Sequence, residues 1–298
     1  MPLVSICIPT YNQLGYFQSA LSSVLAQKFN DYEIIVTDDS SSDDIYEYIN
    51  QIPNRGCIKY IRNKPSLGSP VNWNKALSMA SGKFIKILHH DDQFFDEYSL
   101  GWFVEALNSN PSANIVFCSL LSCDVITGIE RTHQPSSIDL LKLAEDPSIL
   151  FSGNFVGPPS GIIFRAPSKY PFNEKLKWLV DIDFYIKNWT GKEFLFLPKT
   201  LVRITSGDPN QVTRDCEFDL KINLFEYFTV FDEIKNRLTK QQIRRCIRKL
   251  KIILANLNVN SIEQIRMAGY AGNIPLSISR FISLVRINQT LAKCLARV

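Results

Sequence analysis

The sequence lacks the features of a secreted or membrane-spanning protein. Its seven cysteines are odd in number, scattered and without any Cys-x-x-Cys spacing, which argues against a disulfide framework or a zinc cluster and favours reduced thiols. No apolar run approaches the roughly 20 residues of a membrane-spanning helix. The N-terminus runs directly into an apolar segment and has no basic region of the kind that opens a signal peptide. We therefore expect a cytoplasmic protein.

Charge is distributed unevenly along the chain. The net charge is only +4, yet residues 214–298 hold 15 Lys and Arg against 7 Asp and Glu, leaving 18 against 22 for residues 1–213. With 45% hydrophobic residues over 298 positions, the chain can bury a substantial core. We expect a mildly acidic globular body at 1–213 and a basic helical region at 214–298.

Apolar runs alternate with helical patterns through the first 120 residues, which predicts an α/β fold with a doubly wound, mostly parallel sheet. The predicted strands lie at 4–8, 33–36, 58–61, 84–88 and 114–118, and the predicted helices at 16–27, 43–49, 71–80 and 97–107. Ligands of such sheets bind beyond the carboxyl ends of the strands.

The end of the fourth predicted strand carries two adjacent carboxylates, Asp91 and Asp92, directly after the apolar run 84–88. Neighbouring like charges repel, so a divalent cation is a simple way to keep both ionised. The alternative is an acid pair that favours the N-terminus of the helix predicted at 97–107. Two other strand ends add polar residues at 9–12 and 37–43, and all three ends are expected to meet in one crevice.

Several blocks of this sequence together resemble the family 2 glycosyltransferases of the GT-A fold. They are 4–12, 32–40, Asn63 with Leu67 and Gly68, 74–76, and Gly82 to Ile85 ahead of the acid pair. The order and the spacing of the blocks both fit over residues 3–120, and more loosely to about 205. The resemblance implies transfer of a sugar from a nucleotide diphosphate donor, most simply a UDP-sugar, with inversion and with Mn²⁺ or Mg²⁺.

Position by position, the resemblance assigns a nucleotide site and a metal ligand. Pro9 and Tyr11 would flank the nucleobase, Asp39 would accept a hydrogen bond from it, and Asp91 would contact the ribose. Asp92 would bind the metal ion, with Arg62 as a further cation on the donor side.

The family usually has an acid two residues before the pair, where this chain has His89. Whether His89 or His90 contacts the metal, or is satisfied by the backbone, stays open.

Inverting transfer needs a base for the acceptor hydroxyl, and the resemblance places an acidic residue about 90 positions after the metal motif. Asp181 fits that spacing better than Asp183, which would point to a different helix face. The alternative makes Asp181 a helix N-cap, with Asp183 in the first turn. Trp178 is either a stacking surface for a sugar or a core residue, and Trp178 and Asp183 are candidates for acceptor binding.

These assignments divide the chain into a catalytic segment, 1–213, and the basic tail. Residues 1–120 would bind the nucleotide sugar, and 121–213 would extend the fold on the acceptor side.

Arg203 is expected at a strand end, where a cation could meet the diphosphate. The family often has a histidine two residues later, but this chain has Thr205, so that product-phosphate contact is not expected here.

The tail predicts amphipathic helices with a cationic face, from Ile243 to Leu257 and from Leu276 to Leu295. They would dock on the inner face of a membrane, pack on the catalytic segment, or join a second subunit as a homo-oligomer. No nucleic-acid partner is expected, because no recognised binding module accompanies the charge.

The leading hypothesis is a bacterial inverting glycosyltransferase that extends a surface polysaccharide, such as O-antigen lipopolysaccharide or capsule, on a saccharide or lipid-linked acceptor. A non-catalytic protein that binds nucleotide sugars or carbohydrates is the alternative. A sugar nucleotidyltransferase is a weaker one, because 9–14 is not a Gly-rich phosphate loop.

Overall fold

The computed structural model describes residues 1–53, 55–212, 216–287 and 296. The described chain forms two compact units that interleave along the sequence. The first contains residues 1–144, 155–174 and 191–208. The second contains the described parts of 145–154, 175–190 and 209–298. The prediction that residues 1–213 form the catalytic segment and residues 214–298 a basic tail concerns function, and it stays a prediction.

The first unit alternates strands and helices as its apolar pattern predicts. Its elements are β1 Val4–Thr10, α1 Leu14–Leu25, β2 Tyr32–Asp38, α2 Asp44–Gln51, β3 Ile58–Arg62, α3 Val71–Met79, β4 Phe84–Ile87, β5 Gln93–Phe94, α4 Ser99–Ser109, β6 Ala113–Asp124, β7 Glu130–His133, α5 Ser137–Glu145, β8 Ile162–Arg165 and β9 Glu193–Ser206. Short 3-10 helices cover Arg55–Cys57 and Pro159–Gly161.

Within the described residues the strands form one sheet in the order β3-β2-β1-β4-β8-β6-β9-β5, with β7 paired to β6. The run β3-β2-β1-β4 is parallel, as are β6 and β9. Strand β8 is antiparallel to β4 and β6, and β5 is antiparallel to β9. The predicted α/β fold with a mostly parallel sheet is confirmed, and the antiparallel strands beyond β4 are what the sequence pattern did not predict.

The central strand β1 explains why the first unit is so apolar. It pairs with β2 on one side and β4 on the other, and all of its residues are buried. A strand covered on both faces reads as a continuous apolar run, which is how residues 4–8 appear in the sequence. Ser5 is the polar exception, and its Oγ donates to Glu33 Oε1 over 2.6 Å.

The second unit is helical. It contains a 3-10 helix at Pro147–Phe151, then α6 Val180–Trp189, α7 Leu220–Ile234, a 3-10 helix at Lys235–Arg237, α8 Lys240–Asn256, α9 Ile262–Met267 and α10 Leu276–Ile287. The predicted helix from Ile243 to Leu257 corresponds to α8. Residues 288–295 of the second predicted helix lie outside the described residues. Among the described helices, none is long and apolar enough to cross a membrane.

Gly82 lies just before β4, against the backbone of Val4 and Ser5 in β1. A Cβ at this position would lie 2.6 Å from the Ser5 backbone nitrogen, closer than two such atoms can approach. We expect Gly82→Ala to lower the free energy of unfolding by about 1–3 kcal/mol, because backbone must shift to make room. Urea denaturation of the purified protein measures this change.

Gly101 provides the matched control, because it lies in α4 and an added Cβ meets nothing within 4 Å. Gly101→Ala should stabilise the protein by up to about 1 kcal/mol, since alanine has the higher helix propensity. Equal effects of the two substitutions would contradict the close approach at Gly82.

Candidate active site

The acid pair lies in a turn between β4 and β5, at the carboxyl end of β4. The backbone nitrogen of Asp92 donates to the His89 carbonyl over 3.0 Å, which closes the turn. The next helix, α4, begins only at Ser99, after β5. The alternative that made this pair an N-terminal acid pair of the following helix is therefore not supported by the structure.

Asp92 is buried, and two other segments of the first unit hold its carboxylate. The Thr205 backbone nitrogen donates to Asp92 Oδ1 over 3.1 Å, and the Ser160 hydroxyl forms a second hydrogen bond to the carboxylate. The Ser160 Oγ also accepts a hydrogen bond from the backbone nitrogen of His89 over 2.9 Å. Burial, together with the neighbouring Asp91, raises the pKa of Asp92 well above its ordinary value.

Lys86 is a fully buried lysine behind the acid pair. Its Nζ donates to the Ile87 carbonyl over 2.9 Å and to the Ser160 carbonyl, and it lies 5.1 Å from the ring centroid of Phe103. Burial lowers the pKa of Lys86 to about 7. Through its hydrogen bond to the Ser160 carbonyl, the Lys86 amino group anchors the residue whose side chain binds the Asp92 carboxylate.

The two histidines before the acid pair differ in their partners. The Nε2 of His90 lies 2.9 Å from Gln13 Oε1, and the ring also hydrogen-bonds to the Pro9 carbonyl. The His89 ring packs against Trp73 with ring centroids 4.5 Å apart and a tilt of 35°, and its buried Nε2 has no hydrogen-bond partner. Of the two, His89 is the one with a nitrogen available to a ligand.

His89, Asp91 and Asp92 form a group that fits a divalent metal ion. One ligand atom from each lies within 4.8 Å of the others, and His89 Nδ1 is 4.0 Å from Asp92 Oδ2. Burial lowers the pKa of His89 to about 4, so the imidazole is neutral at pH 7, the form that binds metals. Two carboxylates and one imidazole suit Mn²⁺ better than Mg²⁺.

The nucleotide-side residues lie at the ends of β1, β2 and β3, as predicted. Tyr11 follows β1 and is 57% exposed, so its ring is available for stacking. Asp39 is buried, and its carboxylate accepts from Asn63 Nδ2 over 2.7 Å and from the Gly68 nitrogen over 2.7 Å. The loop around Gly68 thus already holds the carboxylate that was assigned to the nucleobase. Pro9 lies within β1.

Arg62 ends β3 and binds the loop that follows β2. Its Nη2 donates to the carbonyls of Ser40 and Ser41 over 3.1 and 2.8 Å, and the guanidinium pairs with Asp43. This arginine therefore shapes the 40–43 loop directly. Any contact with a nucleotide would come in addition to these bonds.

One expectation for β9 needs correction. Arg203 is not at a strand end: it lies inside β9, and its guanidinium forms an ion pair with Glu130 over 2.6 Å. Thr205, where no product-phosphate contact is expected, has a role that the sequence did not predict, because it is a direct partner of the acid pair. Besides its bond to Asp92, its hydroxyl donates to the Asp91 carbonyl. Thr205 was missed because nothing in its local sequence points to residues 91 and 92.

In the second unit, Asp181 and Asp183 lie in the first turn of α6, whose N-cap is Leu179. Asp181 is therefore not the N-cap. Its Oδ2 accepts from Asn154 Nδ2 over 2.6 Å, and its Oδ1 from the Ile182 nitrogen over 2.8 Å. Burial raises the pKa of Asp181 to about 7, with a smaller contribution from the negative charge of Glu226. A half-ionised carboxyl at neutral pH suits a general base.

Asp183 and Trp178, the other two candidates, have different surroundings. Asp183 is fully buried and binds Lys187 Nζ over 2.7 Å, and that lysine also pairs with Glu233. This geometry suits a structural ion pair and leaves no exposed surface for an acceptor. Trp178 is half-buried. This burial is intermediate between that of an exposed stacking surface for a sugar and that of a core residue, the two alternatives for this side chain.

Glu226 is a buried residue that the sequence analysis did not single out. From α7 its carboxylate accepts from three successive backbone nitrogens at the start of α6, those of Lys177, Trp178 and Leu179, over 2.6, 2.9 and 2.7 Å. It thereby caps the helix that carries Asp181, because the first nitrogens of a helix have no partner within it. A single acid in a helical pattern gives no signal of such a role.

We expect Glu226→Ala to lower the free energy of unfolding by about 2–4 kcal/mol, because it leaves buried backbone N–H groups without acceptors. Glu226→Gln keeps one acceptor oxygen and should lose less. Glu263→Ala, at an exposed acid of α9, is the control and should change stability by less than about 1 kcal/mol. Urea denaturation compares the three, and a Glu226→Ala loss as small as the control would contradict the cap.

Comparison with known proteins identifies relatives of this chain. Residues 5–169 match the family model described as Glycosyl transferase family 2. A protein of Mycobacterium tuberculosis, the uncharacterized protein MT1568, is 29% identical over 221 residues, 67% of this chain and 66% of its own length. The GalNAc(5)-diNAcBac-PP-undecaprenol beta-1,3-glucosyltransferase of Campylobacter jejuni is 38% identical over 95 residues, 31% of each chain. This chain thus spans only 66% and 31% of the lengths of these two relatives.

Solved structures share the fold. S. aureus TarS 1-349 in complex with UDP-GlcNAc aligns with a TM-score of 0.69 at 15% identity, over 98% of this chain and 90% of that one. The mannosyltransferase PcManGT of Pyrobaculum calidifontis, in complex with GDP-Man and Mn²⁺, aligns with a TM-score of 0.59 at 14% identity, over 99% and 86%. The predicted GT-A-like fold is confirmed. Since the family model covers more than half of the sequence, this chain belongs to glycosyl transferase family 2.

Proposed function

We propose that this protein is an inverting glycosyltransferase that moves a sugar from a UDP-sugar to a saccharide or lipid-linked saccharide acceptor, with Mn²⁺ or Mg²⁺. The observation that carries the proposal is the adjacent pair of a partly buried Asp91 and a buried Asp92 at the end of β4, with a neutral His89 beside it. Two neighbouring carboxylates, one of them buried, are costly to keep ionised, and a cation lowers that cost.

The donor site would lie at the carboxyl ends of β1 to β4. Tyr11 would stack on the nucleobase, and Asp39 has acceptor capacity beyond its bonds to the loop around Gly68. Pro9 would support Tyr11, Asp91 would contact the ribose, and Arg62 would act mainly by holding the 40–43 loop. The UDP-GlcNAc and UDP complexes of TarS support a uridine nucleotide.

His89 and Asp92 would hold the metal ion, which when bound would neutralise charge on the departing diphosphate. Asp181 would take the proton of the acceptor hydroxyl, whose oxygen forms the new bond to the anomeric carbon. The bond from that carbon to the diphosphate oxygen breaks, and its electron pair leaves with the diphosphate. Attack from the face opposite the leaving group inverts the anomeric carbon. Trp178 would stack on the acceptor sugar, and Asp183 would support α6 through Lys187.

Two relatives support the proposed acceptor class. The Campylobacter jejuni relative and the Escherichia coli enzyme WfaP act on undecaprenol diphosphate-linked saccharides, as their names state. We extend this to a lipid-linked acceptor in surface-polysaccharide synthesis, O-antigen or capsule, at the cytoplasmic face of the membrane. The six described cysteines are free thiols, which suits that location.

The first prediction of this proposal concerns turnover. Nucleoside diphosphate release is measured from UDP-, GDP- and dTDP-sugars with Mn²⁺, for the wild type, Asp92→Asn and Asp181→Asn. We expect activity with one UDP-sugar and a loss of at least about 100-fold in both variants, since one lacks a metal ligand and the other its base. Glu105→Gln, at an exposed carboxylate of α4, is the control and should keep full activity.

Calorimetric titration with UDP separates binding from chemistry. Asp181→Asn should bind UDP and Mn²⁺ as the wild type does, whereas Asp92→Asn should lose the gain in UDP affinity that Mn²⁺ provides. Metal-dependent UDP binding without turnover on any donor would support the non-catalytic binding protein instead. Release of diphosphate from a nucleoside triphosphate and a sugar phosphate would support the nucleotidyltransferase.

The second prediction concerns pH. A base with a pKa raised to about 7 is protonated below that pH, so kcat should fall about tenfold per pH unit on the acid side. Glu226→Gln removes a negative charge that raises the pKa of Asp181, so the acid limb should move to lower pH. A pH–rate profile of both proteins measures this. An unmoved limb in Glu226→Gln, or a limb retained in the residual activity of Asp181→Asn, would contradict Asp181 as the base.

A further inference from the structure

The two C-terminal helices α8 and α10 are strongly cationic. Across Lys240–Asn256 and Leu276–Ile287 the sequence has eight Lys and Arg and no Asp or Glu. Solvent-exposed helices usually mix both signs of charge, because oppositely charged neighbours stabilise the helix. The absence of any acid therefore points to a partner that supplies the negative charge.

The apolar faces of both helices are already used inside the second unit. The buried side chains of α8 include Cys246, Leu250, Ile253 and Leu254, and those of α10 include Ile278, Phe281, Ile282 and Val285. Helix α8 packs against α7, α10 and the 3-10 helix at Pro147–Phe151. This accounts for the hydrophobic periodicity that the sequence showed and leaves the cations on the outside.

Not all cations of α8 are available. Arg245 pairs with Asp146, Lys249 donates to the Ser152 carbonyl over 2.9 Å, and Lys251 lies over the ring of Phe281. These three side chains are engaged by the unit itself.

The other three cations, Lys240, Arg244 and Arg248, recur every fourth residue and are exposed. Residues four apart lie on the same face of a helix, so they form one row, which we call the α8 stripe. Within the described part of the chain, no carboxylate forms an ion pair with them. On α10, Arg280 and Arg286 are also exposed.

We propose that the α8 stripe docks this protein on an anionic phospholipid bilayer. Its regular cations match a surface of negative headgroups, and attraction of this kind adds up over each basic residue near the surface. A single-stranded nucleic acid fits less well, because α8 has no aromatic side chain on which bases could stack. The choice of a bilayer over other polyanions rests on the proposed function, whose acceptor is lipid-linked.

The interaction is electrostatic rather than insertive. The fully buried apolar side chains of α8 belong to the core of the unit, and Ile243 and Ile247 beside the stripe are partly buried, so the bilayer would meet mainly charge. Binding should therefore require anionic lipid and weaken steeply with salt, as the screening length falls from about 10 Å at 0.1 M to about 3 Å at 1 M. The protein would be peripheral, held at the surface where its acceptor is anchored.

Vesicle sedimentation of the full chain tests the proposal, with phosphatidylcholine vesicles that contain or lack phosphatidylglycerol. The stripe variant is Lys240→Glu/Arg244→Glu/Arg248→Glu. The control is Lys28→Glu/Lys83→Glu/Lys192→Glu, which reverses three exposed lysines of the first unit and changes the net charge by the same amount. The wild type should bind only vesicles with phosphatidylglycerol. The stripe variant should lose at least about 100-fold in partitioning, and the control should lose much less.

The proposal would be overturned by equal losses in the two variants, by unchanged binding of the stripe variant, or by wild-type binding to phosphatidylcholine alone. Tighter competition by a DNA oligonucleotide than by phosphatidylglycerol vesicles would also overturn it. Circular dichroism and turnover of the donor sugar in vesicle-free solution, measured on the same samples, should match the wild type. Because vesicle binding needs no donor or acceptor, its failure is distinguishable from failure of the proposed transferase activity.

Discussion

The first unit depends on keeping two adjacent carboxylates at one buried turn. Asp91 and Asp92 repel each other, and burial of Asp92 removes the water that would screen the repulsion. Two groups from distant segments, Ser160 and Thr205, and the amino group of Lys86 within β4 itself stabilise this turn. Ser160 and Thr205 bond directly to this turn, and Lys86 acts through Ser160. The positions of β8 and β9 next to β4 and β5 are what bring these segments together.

The second unit contains the reverse arrangement. In the first unit hydrogen-bond donors satisfy a buried carboxylate, whereas in the second unit a buried carboxylate satisfies hydrogen-bond donors. There the unsatisfied groups are the backbone N–H groups at the start of α6, and one carboxylate, Glu226, satisfies three of them. The cap fixes the turn of helix on which Asp181 lies, and its charge helps to raise the pKa of that residue. In both units burial is the main cause of the raised pKa of the site carboxyl, and a buried ionisable group nearby makes a smaller contribution, downward from Lys86 and upward from Glu226.

What could be predicted from the sequence follows from how local each signal is. The strand ends at Tyr11, Asp39 and Asp92 could be located because an apolar run followed by a polar turn is contained in a few consecutive residues. Asp181 and Asp183 were expected on different faces of one helix because they are two positions apart, and they lie in the first turn of α6 with different partners. The antiparallel strands beyond β4 gave no comparable signal, because pairing between β8 and its neighbours depends on residues far apart in the sequence.

The partners of the site residues could not be predicted for the same reason. Ser160 is one residue of a Pro- and Gly-rich segment, Thr205 is the second-last residue of β9, and Lys86 interrupts an apolar strand. Each of the three acts on the site through a contact with a residue more than 70 positions away in the sequence. Arg203 was misplaced because the end of β9 was expected too early, and its ion pair with Glu130 on β7 could not be seen locally.

The interleaving of the two units has a consequence for anyone who exchanges segments between relatives. The residues from 209 onward look like a separable appendage when the chain is read in order, yet α6 is inserted from the middle of the sequence and is capped by position 226. A chimera that takes its tail from another protein also replaces the acid that orders residues 177–179. The junction is compatible only with donors that carry a carboxylate at that place, so the tail and the segment 175–190 are best treated as one inherited part.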